Sequence, residues 1–189
     1  REGERLPNLR ALADESVRFT MARSPAASTV VALNAIFTGR QYTETRWAVH
    51  PRIAHLFPHL DDSPRFPGLL AEVGVSSVAL DTTEWMRPEY GISRGFSRVV
   101  SLPRTQGDSA GATQIVDGLL TEIAREPSGA FFYAHFLEPH APYDLAGKVG
   151  DDWSRYVAEI AIVDEQIGRL VAALRARGEW DRVVLIVTA

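Results

Sequence analysis

An α/β fold with a mostly parallel sheet is the architecture this sequence predicts, on three observations. Helical spacing and short apolar runs alternate along the chain. The strongest apolar runs lack the in-out alternation of one-sided antiparallel strands. The 189 residues, 46% hydrophobic and 23% charged, suit one domain over 1–189 with one sizeable core.

The elements follow in order. Pro7 sits where a first helical turn tolerates it, and Leu9, Leu12 and Ala13 recur at helical intervals, so the chain opens with a helix; Val17 to Met21 then reads as a strand. Ser24 to Thr29 is small and hydroxyl-rich, Val30 to Phe37 is a short apolar helix, and Thr38-Gly39-Arg40 stops it, which puts Ser28 and Thr29 at a helix N-terminus. Gln41 to Pro67, rich in proline, histidine and arginine, reads as a long surface excursion. Phe66 to Gly74 forms a helix with a glycine end, Val75 to Leu80 a short strand, and Ser97 to Leu102 a further strand. Ile115, Val116, Leu119, Leu120 and Ile123 mark an amphipathic helix over about 109–125, and Ala130 to Leu137 an aromatic strand. The longest helix carries Tyr156, Ile160, Val163, Ile167, Leu170 and Leu174 on one stripe and ends at Gly178; Val183 to Val187 reads as a buried parallel strand.

A net charge of −4 gives no general attraction to phosphate backbones or anionic lipids, so nucleic-acid binding by bulk charge is disfavoured. Absence of cysteine excludes disulfides, thiolate metal sites and a cysteine nucleophile. No apolar run approaches the roughly 20 residues that span a bilayer. Phosphate-loop and dinucleotide glycine patterns are also absent. The chain begins without Met and stops on the apolar run ending at Ala189, where the ligand-bearing edge of a sheet is expected, so functional residues are expected beyond it.

Candidate chemistry is sparse. Ser28 and Thr29 lie where free helix amides and a partial positive charge favour an anion and activate a nucleophile, although capping hydroxyls are far commoner. His140, in Glu138-Pro139-His140-Ala141-Pro142-Tyr143, is held by two prolines at the carboxyl end of a strand and suits acid-base or oxyanion work; a loop histidine bonded to a neighbour is the even alternative. His135, inside the strand, reads as a satisfied core or supporting residue. His50, His55 and His59 lack a helix or carboxylate partner and read as a solvated loop rather than a metal site. Asp61-Asp62 could hold a hard cation but lies beside turn formers, and Asp151-Asp152 supplies charge to a helix start. Asp81, at a strand end, is the one isolated carboxylate with a suggestive position, and turn chemistry through Thr82-Thr83 is its alternative.

Taken together, the segments resemble the sulfatase family. Leu6 to Thr20 looks like its "TPNLDALAAEGVRFTNA" stretch, and Thr29 to Arg40 like its nucleophile helix ending in Thr-Gly-Arg. Phe66 to Leu80 with Arg94-Gly95-Phe96 resembles "LPELLREAGYRTAAV…GFD", Phe131 to Tyr143 resembles "FFLWVHLFDPHAPY", and Tyr156 to Leu174 resembles "YDAEIAYVDEQIGRLLDAL". The resemblance covers Pro7 to Ala189.

It implies an alkaline-phosphatase-like three-layer α/β/α core, incomplete at both ends, and cleavage or transfer of sulfate or phosphate esters at a divalent metal, calcium first and otherwise manganese, zinc or magnesium. Aligned through Thr38-Gly39, the nucleophile and metal-ligand position falls on Thr29; the remaining metal ligands are implied outside this sequence, which leaves this fragment inactive by itself. Sulfatases carry Cys-x-Pro-x-Arg there, whereas this chain has Thr29-Val30-Val31-Ala32-Leu33 and no Gly-Lys-Trp-His motif. Threonine is similar to the phosphoethanolamine and phosphoglycerol transferase branches, where it attacks phosphorus directly. His140 matches the histidine that contacts the ester and assists leaving-group departure, with His135 as substrate-side support. The implied partner is a small-molecule, glycan or lipid-headgroup ester, in an extracytoplasmic setting; the sequence leaves an upstream membrane anchor open. The competing expectation is a non-catalytic binding or structural relative, favoured by Val31 and Leu33.

Overall fold

The computed structural model describes residues 6–103, 111–126, 128–143, 147 and 150–189, and the side chain of Asp81 is not among what it describes. Among the described residues, five α-helices and five strands follow one another. They are α1 (Pro7–Asp14), α2 (Thr29–Thr38), β1 (Ala48–Val49), β2 (Leu56–Phe57), α3 (Phe66–Glu72), β3 (Ser76–Asp81), β4 (Arg98–Ser101), α4 (Ala112–Arg125), β5 (Ala130–Tyr133) and α5 (Asp152–Ala176). The chain divides into two compact units: a first of Arg1–Ala22, Pro103–Leu120 and Phe136–Ala189, and a second of Arg23–Leu102 and Thr121–His135.

The second unit holds a parallel sheet in the order β4-β3-β5 and a small antiparallel pair, β1-β2. Ala79 pairs with Val99 on one side and Tyr133 on the other, so these three share a face. That face belongs to a core of Leu33, Phe37, Phe57, Ala79, Met86, Tyr90 and Ile92. Phe37 of α2 is its hub, with ring centroids 5.1 Å from Phe96, 5.1 Å from Tyr133 and 5.9 Å from Phe66. Val78 and Leu80, on the opposite face, are fully buried, which explains why β3 reads as a continuous apolar run.

The excursion over Gln41 to Pro67 is not wholly a surface loop. Phe57 is fully buried and stacks on Tyr90 at 4.4 Å, and Asp61 and Arg65 are buried within it. The passage is tight: a Cβ on Gly91 would fall 2.7 Å from the His59 backbone.

In the first unit α1 lies on α5. Asp164 of α5 accepts from the Leu9 N–H at 2.7 Å, the Asn8 N–H at 3.2 Å and the Asn8 amide at 2.9 Å, so a carboxylate holds the first turn of α1. Arg169 of α5 bonds Asp117 at 2.6 Å and the Thr113 carbonyl at 3.0 Å, which ties α5 to the first half of α4.

Three expected strands need correction. Val17 to Met21 and Val183 to Val187 form no strand, and Val17, Phe19, Val184 and Ile186 are exposed. A strand needs a neighbour to complete its ladder, and among the described residues no segment pairs with either. The aromatic strand ends at Tyr133, where its register against β3 ends at Ala79, so His135 lies beyond the strand. The helix expected over about 109–125 is described from Ala112; residues 109 and 110 lie outside the described residues.

Candidate active site

Thr29 is the first residue of α2. Ser28 precedes it in an extended conformation, φ −102° and ψ 127°, and its carbonyl accepts the Ala32 N–H at 2.9 Å, which starts the helix. No side chain caps this end, so the hydroxyls are not spent as the capping alternative required, and the amides of Thr29, Val30 and Val31 lack intrahelical acceptors. A half-buried hydroxyl therefore sits at the positive end of a helix dipole, where an anion or developing oxyanion is stabilised. Leu33, one turn on, is 4% exposed in the core beside Phe37.

His135 is half-buried, and its Nδ1 lies 3.1 Å from the Tyr133 hydroxyl. Burial pushes the Tyr133 phenol above its ordinary range and keeps it neutral. The histidine so held belongs to the second unit with Thr29.

His140 belongs to the first unit, on a turn fixed at three points. Its N–H donates to the Leu137 carbonyl at 3.0 Å, its own carbonyl accepts the Tyr143 N–H at 3.4 Å, and its Nδ1 lies 2.7 Å from the Ala141 carbonyl. A carbonyl only accepts, so Nδ1 carries the hydrogen, which leaves Nε2 of this exposed ring for chemistry. The Ala141-Pro142 bond is cis, and Tyr143 adopts φ 57°.

The weaker candidates have structural employment. Asp61 accepts from the Arg46 N–H at 2.7 Å and the Ser63 N–H at 3.0 Å, which makes it a turn residue rather than a cation ligand. His50 is not solvated: it is 7% exposed, with ring centroids 5.0 Å from Tyr90 and 5.2 Å from His59, while His55 is exposed. Asp151 caps α5 by accepting the Ser154 N–H at 2.9 Å, and Asp81 ends β3 before buried Thr82 and Thr83. The residue missed is Glu138, 2% exposed; a charged residue directly after the apolar run Ala130 to Leu137 was the available signal.

The residues described do not by themselves fit a divalent-metal site. Thr29 offers a single hydroxyl, and among the described residues no three His, Asp or Glu side chains converge to hold an ion. Among the described residues, no helix is long and apolar enough to cross a membrane.

Comparison with solved structures places the fold. The lipoteichoic acid synthase LtaP from Listeria monocytogenes is similar with a TM-score of 0.73 at 17% identity over 94% of this chain and 48% of that one. A protein in the alkaline phosphatase superfamily from Vibrio parahaemolyticus gives 0.68 at 19% identity over 93% and 46%. Ps i-CgsB, solved in complex with k-i-k-neocarrahexaose, gives 0.69 at 16% identity over 93% and 51%. The chain thus spans about half the length of these structures and shares their alkaline-phosphatase-like α/β fold. No curated protein matches it. The Sulfatase family model matches residues 2–189, nearly the whole sequence, and the chain accordingly belongs to the Sulfatase family.

Proposed function

We propose that this chain is the nucleophile-bearing part of an enzyme that hydrolyses or transfers phosphate esters, with Thr29 as nucleophile and His140 as proton donor. The observation that carries the reading is the Thr29 hydroxyl at the uncapped start of α2 in a Sulfatase-family chain. In this proposal the Thr29 Oγ attacks phosphorus as its hydroxyl proton passes to water, and the ester oxygen leaves with a proton from Nε2 of His140 in its doubly protonated form. Water or a second alcohol, giving its proton to the now neutral Nε2 of His140, then attacks the phosphothreonine, and Thr29 departs and takes up a proton from solvent. First-turn amides of α2 offset the charge gathering on the phosphoryl oxygens. Threonine supports phosphorus over sulfur as the target, in keeping with the synthase LtaP among the similar structures. A glycan or lipid-headgroup ester, an extracytoplasmic setting and divalent-metal dependence belong to the same proposal, supported by the family alone.

The test is turnover of phosphodiester, phosphomonoester and aryl sulfate substrates by the full-length protein, with and without chelator. Thr29→Ala is expected to remove turnover by about a thousandfold or more, and a phosphate ester is expected to be preferred. A non-catalytic relative is favoured by one observation, the burial of Leu33 in the core where active sulfatases carry arginine. Absence of turnover of every ester by a folded, metal-supplied full-length protein would establish that second reading.

A further inference from the structure

Resting on the reading of His140 as proton donor, we infer that Glu138 is a positioning residue that fastens the His140 turn to the start of α4. Glu138 is 2% exposed, and its Oε1 accepts the N–H of Ala112, the first residue of α4. It therefore does for α4 what a side-chain cap does, from 26 residues away. A carboxylate also suits the positive end of the helix dipole. The neighbouring amide is served separately, since the Gly111 N–H donates to Gln114 at 2.8 Å.

The anchor at the far end of this bond is itself fixed. Arg169 of α5 holds Asp117 and the Thr113 carbonyl of α4, and Arg177 reaches the Leu120 carbonyl at 3.4 Å. At the near end, the His140 N–H bonds the Leu137 carbonyl next to Glu138, and His140 Nδ1 meets Ala141. The imidazole is thus held by short local bonds to a turn whose own place is set by the Glu138 carboxylate. Exposed loops move unless something buried pins them, and Glu138 is the one buried residue of Glu138 to Tyr143 among those described.

The experiment compares three variants of the full-length protein. Glu138→Gln retains an acceptor for Ala112; Glu138→Leu removes it; Ala112→Pro removes the donor at a first helical position where proline is well accommodated. Each is read by kcat, by KM and by the ¹⁵N shifts of the His140 ring, which report its tautomer whether or not the protein turns over. Glu138→Leu and Ala112→Pro are expected to lower kcat about tenfold to a hundredfold, with KM near wild type and His140 shifted toward the averaged tautomers of a free imidazole. Glu138→Gln is expected to stay within about threefold of wild type, since the lost bond alone carries the larger effect. Wild-type kcat and ring shifts in both Glu138→Leu and Ala112→Pro would overturn the inference, as would equal kcat losses in Glu138→Gln and Glu138→Leu. Should the wild-type protein turn over no ester, the ring shifts alone decide it, separately from the proposed reaction.

Discussion

Asp61 in the second unit and Glu138 in the first are buried to nearly the same degree, 4% and 2% exposed, yet their surroundings drive them in opposite directions. Burial alone would raise Asp61, but the N–H groups of Arg46 and Ser63, the Ser63 hydroxyl and Arg65, whose guanidinium lies 3.9 Å away, hold it below the ordinary carboxylate range. For Glu138 burial wins: the N–H groups of Glu138, Ala112 and Leu137 pull down without overcoming it, and the Glu159 charge adds to the rise. Equal solvent exposure therefore does not set the direction: each carboxyl has three N–H or O–H donors, and the difference lies in the greater weight of protein packed around Glu138 and in the sign of the nearest charge, Arg65 against Glu159. Asp61 serves as the counter-ion of a buried arginine, whereas Glu138 holds one helix end beside another acid.

Breaking the Asp61 side of this contrast has the largest effect. Arg65 is 3% exposed, and burial together with the Arg94 charge already lowers its affinity for a proton. Asp61→Ala leaves that guanidinium without its counter-charge and two backbone N–H groups without an acceptor, and is expected to cost about 3–5 kcal/mol in denaturant unfolding. A loss under about 1 kcal/mol would mean that the carbonyls of Asp61 and Ser63 and the Asn34 amide oxygen satisfy Arg65 unaided.

The pH dependence separates the two carboxyls next. Glu138 titrates higher in the folded chain than unfolded, so its contribution is complete below the unfolded value of about 4.3 and is lost as pH rises through the folded value. Asp61 behaves oppositely: its contribution is complete above about 3.9 and is lost as pH falls through the folded value. Thermal melts between pH 4 and 8 are expected to show wild type losing stability with rising pH, at no more than about 1.4 kcal/mol per pH unit from one group. Glu138→Gln should flatten that slope, and an unchanged slope would assign the dependence elsewhere.

The smallest effect lies at the surface of the first unit. Arg175 bonds Glu15 at 2.6 Å and lies 5.1 Å from the centre of the Trp180 ring, with both partners of the ion pair about half exposed. Arg175→Ala is expected to cost under about 1 kcal/mol, since solvent screens the pair.

The same contrast shows what could be read in advance. The helices α2, α3, α4 and α5, the strands β3 and β4 and the start of β5 were legible because helical spacing, glycine ends and apolar runs are local signals. Thr29 at a helix start and the His140 turn were legible for the same reason. Val17 to Met21 and Val183 to Val187 were misread because a strand's existence depends on a partner that its own residues do not name. His50 was misread because its burial comes from Tyr90 and Phe57, the former forty residues distant.

By itself the sequence determined the α/β alternation, the family and the hydroxyl available at position 29, since each rests on residues close together along the chain. Only the tertiary structure decided the side-chain bond that anchors the His140 turn, in which direction each of two buried carboxyls is shifted, and that position 33 serves the core. Those outcomes turn on donors, charges and packing partners brought in from distant positions. Electrostatic and packing energies depend on distances in space, which separations along the chain do not specify.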